Sequence, residues 1–160
     1  MRDDERGKRV VLIAHCILNQ NSRATGLAKN PSARKPLVDF LLRNKIGIIQ
    51  MPCPELAFKG VLRRPQTREQ YDSPKFRKHC QRIANELADQ IQEYSKGGVE
   101  LKLVLGVQRS PSCAVDVPSA GIFMEELRSA LNSKRFSVQF YEICWERLRK
   151  DIAQLKKLIR

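Results

Sequence analysis

The chain has 160 residues, 42% hydrophobic and 29% charged, the composition of a single soluble globular domain with room for a real core. No apolar run approaches the roughly 18–20 residues that span a bilayer. The charged stretch Met1–Lys8 leads into only about six apolar residues, too few for a secretory signal core, so a cytoplasmic protein is expected. The net charge of +13 points either to a polyanionic partner, such as RNA or a phosphorylated substrate, or to a solvated basic surface. No nucleic-acid-binding module stands out, and nothing fixes the oligomeric state.

Residues 1–8 are expected to be flexible. A first strand is read at Arg9–Ala14, a β-branched and leucine run suited to burial on both faces. It ends at His15-Cys16 and gives way to a long polar loop, Asn19–Arg34, of a length that compact domains reserve for function. A helix is expected from about Pro36 to Asn44, with Leu37, Phe40 and Leu41 on one face. The run Ile46–Met51 reads as a buried second strand, ending in Pro52-Cys53-Pro54-Glu55. A second polar loop covers Pro65–Pro74. Ser73 as N-cap and Pro74 at the first helical position then open a long helix to about Tyr94, carrying Phe76, Cys80, Ile83, Leu87 and Ile91 at helical spacing. Gly97-Gly98 stops it. Leu101–Val107 is the third strand, leading to Ser110-Pro111-Ser112-Cys113. A helix over Gly121–Asn132, a fourth strand over Phe136–Tyr141 and a basic helix over Trp145–Arg160 complete the chain. The alternation predicts a single α/β domain, a mostly parallel sheet with helices on both faces, Rossmann-like and doubly wound.

In such sheets ligands bind outside the carboxyl ends of the strands, and three of the five cysteines follow strand ends. An odd count without close pairing disfavours a secreted disulfide framework. With no Cys-x-x-Cys, no cysteine–histidine cluster and two histidines, His15 and His79, a zinc finger is disfavoured too. Cys16, Cys53 and Cys113 can converge from separate strands to hold a soft metal or an iron–sulfur cluster; the plainer reading is three small buried hydrophobes. Cys80 belongs to a helix core, and Cys144, also after a strand, is the rival for a fourth ligand. Two prolines hold the Cys53 backbone rigid. Glu55 is a candidate general base, a helix N-terminal charge, or an ion-pair partner of Arg63 or Arg64. Ser110 and Ser112 offer hydroxyls beside the third thiol, or serve as turn and cap residues. His15 suits a hydrogen-bonding role.

Cys-Ile-Leu-Asn-Gln-Asn-Ser-Arg from Cys16, Cys-Pro-Glu from Cys53 and Ser-Pro-Ser-Cys ending at Cys113 resemble, in this order, the thiouracil desulfidase family, over roughly Val10–Leu131. The resemblance implies an α/β domain with a [4Fe–4S] cluster on Cys16, Cys53 and Cys113, one iron left open for the sulfur of a thiolated pyrimidine. It also implies Glu55 and Ser110 as the catalytic pair; Asn19, Ser22 and Ser112, in and beside these motifs, are expected besides as substrate contacts. The chain departs from the family pattern at Ser22, where many members have cysteine, and at Ala114, where glycine is usual.

The expected function is therefore a desulfidase releasing sulfide from a thiopyrimidine as free base, nucleotide or thiouridine in RNA. One alternative is a sulfur-transfer or thiolation protein using the same cluster, disfavoured by the lack of a P-loop. The other is a non-catalytic, basic RNA-binding α/β module with structural cysteines.

Overall fold

The computed structural model describes residues 4–116 and 118–160. Four strands, β1 (Arg9–Ile13), β2 (Gly47–Gln50), β3 (Glu100–Val107) and β4 (Gln139–Ile143), form one parallel sheet in the order β2-β1-β3-β4. Around it lie α1 (His15–Leu18), a 3-10 turn (Gln20–Ser22), α2 (Lys35–Arg43), α3 (Pro54–Lys59), α4 (Arg68–Tyr71), α5 (Pro74–Lys96), α6 (Ile122–Ser133) and α7 (Leu148–Leu158). The chain leaves β1 to one side for β2, then crosses back over β1 to β3 and β4. With right-handed crossovers that reversal puts helices on both faces: α2 packs with α7, and α5 with α6. The doubly wound α/β domain expected from the sequence is the observed one. Among the described residues no helix is long and apolar enough to cross a membrane.

The core follows from this layering. Val11, Leu12 and Ile13 of β1 and Val104 and Leu105 of β3 are wholly buried, because helices cover both faces. Helix α5 buries Phe76, Cys80, Ile83, Ala84, Leu87, Ala88 and Ile91, the expected stripe. Ser73 caps it by accepting the Phe76 N–H at 3.1 Å, Pro74 starts it and Gly97 ends it.

Five expectations change. The strand expected to be buried at Ile46–Met51 is an edge strand: Ile48 and Ile49 are only half-buried, and burial is complete at the flanking Ile46 and Met51. The rigid loop expected after Cys53 turns at once into α3, because Pro54 begins a helix as well as stiffening a loop. The Pro65–Pro74 loop contains α4, closed by a capping box between Thr67 and Gln70. The fourth strand begins at Gln139 rather than Phe136, since α6 ends in a Schellman turn: Arg135 N–H reaches Asn132 C=O at 2.9 Å and Phe136 N–H reaches Leu131 C=O at 3.0 Å. Helix α7 likewise starts at Leu148, after a turn at Trp145–Arg147. Of the flexible stretch expected at 1–8, residues 1–3 lie outside the described residues; 4–8 are exposed.

Arg135 holds the left-handed position of that turn at φ 65°, where a side chain costs about 1–2 kcal/mol. Arg135→Gly is expected to stabilise the fold by roughly 0.5–1 kcal/mol net of glycine's entropy, measured as a higher urea midpoint with an unchanged slope.

Candidate functional site

The ends of β1, β2 and β3 stand level, Ile13 beside Gln50 on one side and Leu105 on the other. Each strand then delivers one cysteine. Cys16 lies in α1, and Gln20 Nε2 donates to its carbonyl at 2.7 Å, tying helix to loop. Cys53 is the N-cap of α3: its sulfur accepts the Leu56 N–H at 3.4 Å, while Pro54 and Glu55 form the first helical turn. Cys113 sits in a tight loop between β3 and α6. Ser110 Oγ accepts the Cys113 N–H at 2.9 Å, and Val107 N–H donates to the Cys113 carbonyl at 2.9 Å. The start of α6 holds the same loop, with Ile122 N–H on Pro111 C=O and Met124 N–H on Ser112 C=O, both at 3.1 Å.

Two glycines permit that approach. A Cβ on Gly106 would stand 2.2 Å from the Cys113 carbonyl oxygen, and one on Gly121 2.2 Å from the Ser112 carbonyl carbon. The thiol loop is thus clamped between β3 and α6 with no room for a side chain on either side.

The three thiols line one cavity of about 80 Å³, together with Glu55, Arg63 and Ser112. Burial pushes Cys16 up to about 12, with Cys53 adding to the rise and Arg23 opposing it. Burial raises Cys53 as well, and raises Cys113 most firmly, the latter helped by the other two sulfurs. Each thiolate charge would be felt by its neighbours. Among the described residues no three His, Cys, Asp or Glu side chains gather as a mononuclear metal site would need.

Glu55 is buried. Ser112 Oγ donates to its Oε2 at 2.6 Å, and Arg63 Nε stands 3.8 Å from its Oε1. Ser110, expected as the acid's partner, also lines the cavity; it caps the loop and lies 3.4 Å from Ser112 Oγ. The hydroxyl on the carboxylate is therefore that of Ser112. Arg63 donates to the carbonyls of Gly60 (3.1 Å) and Ser22 (2.7 Å), with Nη2 3.9 Å from Cys53 sulfur. Tyr71, 2% exposed, is pushed up to about 12 by burial and by the facing Glu55, and its hydroxyl has no partner among the described residues.

Of the other expected residues, some line the cavity and some do not. Ser22 lines the cavity, but its hydroxyl is turned to Asn19 C=O at 2.9 Å. Asn19 is exposed, outside the cavity lining, and caps the 3-10 turn. His15 also lines the cavity, half-buried, with Nδ1 3.1 Å from Met51 C=O. Cys80 is core, and Cys144 lies outside the cavity lining and donates to Glu146 Oε2 at 3.1 Å. Arg109 and Tyr71, which stand near the site, were invisible to pattern, while Arg23 closed the first motif without an assigned role. Arg63 surfaced only as a partner for Glu55, since its place depends on how the segment after α3 folds back.

The site defines an α/β domain whose strand ends gather thiols around a buried carboxylate. No family model matches the chain, and no solved structure does. An uncharacterized protein of Methanocaldococcus jannaschii is 38% identical over 121 residues, 76% of each chain. The chain belongs to the same family as that archaeal protein.

Gly121→Ala forces the Ser112–Cys113 backbone to move and is expected to cost about 1–3 kcal/mol. It also exposes Cys113, seen as faster thiol titration under native conditions. Gly97→Ala, whose Cβ would meet nothing closer than 3.5 Å, is the control that leaves thiol titration unchanged.

Proposed function

We propose that this chain is an iron–sulfur-dependent desulfidase that removes sulfur from a thiolated pyrimidine as sulfide, with a [4Fe–4S] cluster on Cys16, Cys53 and Cys113. The observation that carries the reading is the meeting, in one small cavity, of three thiols from three strands with the buried Glu55–Ser112 pair. The donor set suits the cluster: three soft sulfurs, with Cys80 and Cys144 outside the cavity lining. Arg63 beside Cys53 and Arg23 beside Cys16 offset the charge of thiolates that burial alone disfavours. When bound on three protein thiolates, such a cluster supplies an open iron, a Lewis acid for a soft thiocarbonyl sulfur.

The chain's own residues supply the proton transfers. Arg63 and Ser112 hold Glu55 in place from two sides. Glu55 takes a proton from the water that attacks the thiocarbonyl carbon. Ser112, with Ser110 behind it at 3.4 Å, returns a proton to the ring nitrogen or the departing sulfur. Thiocarbonyl and water thus give carbonyl and hydrogen sulfide without a change of oxidation state. Arg23 and Arg109 also line the cavity and suit an anionic substrate.

Protein purified without oxygen is expected to contain iron and sulfide in equal amounts and to absorb broadly in the visible; Cys113→Ala loses both. Colourless, iron-free protein that resists anaerobic reconstitution would sink the reading. Glu55→Ala is expected to keep the visible spectrum while sulfide release from 2-thiouracil falls about 10²–10⁴-fold. Normal turnover in that variant would remove Glu55 from its role.

A further inference from the structure

We infer that Tyr71 is a positioning residue for Glu55: its hydroxyl, together with Arg63 Nε, holds the carboxylate oxygen Oε1 and leaves Oε2 to the cavity side, where Ser112 meets it. Tyr71 closes α4 and is wholly enclosed. Its ring packs on Phe76, with 4.9 Å between centroids, and Lys59 Nζ stands 5.4 Å from its centre. Phenylalanine would fill that place equally well, and a buried hydroxyl without a partner costs stability. The hydroxyl is therefore the one part of this side chain that packing does not explain.

Three polar groups meet here, each incomplete. The Tyr71 hydroxyl and Arg63 Nε are buried donors with no hydrogen-bond partner among the described residues. Glu55 Oε1 has Arg63 Nε at 3.8 Å, near enough for an ion pair and too far for a hydrogen bond, whereas Oε2 already accepts from Ser112 at 2.6 Å. Burial and the facing Glu55 push the phenol up, Arg63 opposing them, so the hydroxyl keeps its proton and can only donate to the acid. Two donors thus face one acceptor, and a small rotation of the carboxylate brings Oε1 within reach of both. Hydrogen bonds of this kind are often long in a resting site and tighten in the reacting complex.

Neither donor is free to drift. Arg63 is tied to the Gly60 and Ser22 carbonyls. Helix α4 is closed by the Thr67–Gln70 box, and its Arg68 reaches Ala120 C=O at 2.8 Å and Glu125 Oε1 at 2.5 Å. The carboxylate is the group that adjusts, and Tyr71 with Arg63 decides where it comes to rest. The part this plays in turnover rests on the desulfidase reading; the contact between Tyr71 and Glu55 does not.

Tyr71→Phe keeps the ring and removes the hydroxyl. With 2-thiouracil as substrate, kcat is expected to fall about ten- to a hundredfold at unchanged KM, the worth of one hydrogen bond to a charged group, while the urea midpoint stays or rises. Tyr94→Phe, at an exposed position of α5, leaves both unchanged. A hydroxyl that served the fold alone would lower the midpoint and spare kcat; that result, or normal turnover at any midpoint, overturns the proposal. A second measurement needs no turnover. The intensity ratio of the tyrosine doublet in the ultraviolet resonance Raman spectrum reports whether a phenol donates a hydrogen bond, and the difference between wild type and Tyr71→Phe isolates Tyr71. That difference is expected to show a donor, and the same difference taken in a Glu55→Ala background is expected to lose it. No donor signature, or one that survives Glu55→Ala, overturns the proposal. A signature that depends on Glu55 in a protein with no desulfurating activity keeps the contact and discards the desulfidase; a desulfurating protein in which Tyr71→Phe turns over normally does the reverse.

Discussion

Strand β1 lies between two parallel neighbours in a register that brings Ile13 level with Gln50 and Leu105. The site follows from that alignment. Cys16, Cys53 and Cys113 are remote in sequence, yet each follows its strand end by a short fixed path: one residue into α1, the cap of α3, and the clamped loop before α6. Parallel order also sends every connection across a face, so the carboxyl edge is left to loops and helix starts alone.

What lines the cavity is held in two ways. The Cys113 wall is held by backbone: amides of α6, the Val107 N–H, and glycines that exclude side chains. Farther along, Val115 N–H donates to buried Glu142 of β4 at 2.9 Å, so even the strand without a cavity thiol braces this loop. The opposite wall is held by one side chain. Arg63 ties the end of α3 to the Ser22 turn while standing beside Cys53 and Glu55. A buried guanidinium with two carbonyl acceptors is fixed in orientation by its planar fork, which lysine would not reproduce.

The sheet, its parallel sense, α2, α5 and the three cysteines were legible in the sequence because they rest on local signals: β-branched runs, helical spacing, Ser73-Pro74 and Gly97-Gly98. The edge position of β2 was not legible, since Ile48 and Ile49 look alike whether one neighbour covers them or two. The end of α6 was hidden because Arg135 takes the place glycine usually marks. Within the site, a serine beside each side of Pro111 suits the acid equally well by spacing. That Ser112 rather than Ser110 reaches Glu55 depends on how the loop turns between Gly106 and Gly121, a three-dimensional fact. Tyr71 carried no pattern at all, and Arg23 closed the first motif with nothing to mark its role.

The strand order has a consequence in time as well as in space. As the chain is made, β1 and β2 and their two cysteines come first, but β1 has no partner on its other side until β3 arrives. The last thiol lies beyond β3, and its loop is set only when α6 supplies the amides that hold Pro111 and Ser112. Such non-local pairing forms late, since the entropy of loop closure is given up before the pairing stabilises anything. A chain halted before α6 therefore carries all three thiols but lacks the amides that fix the third beside the other two.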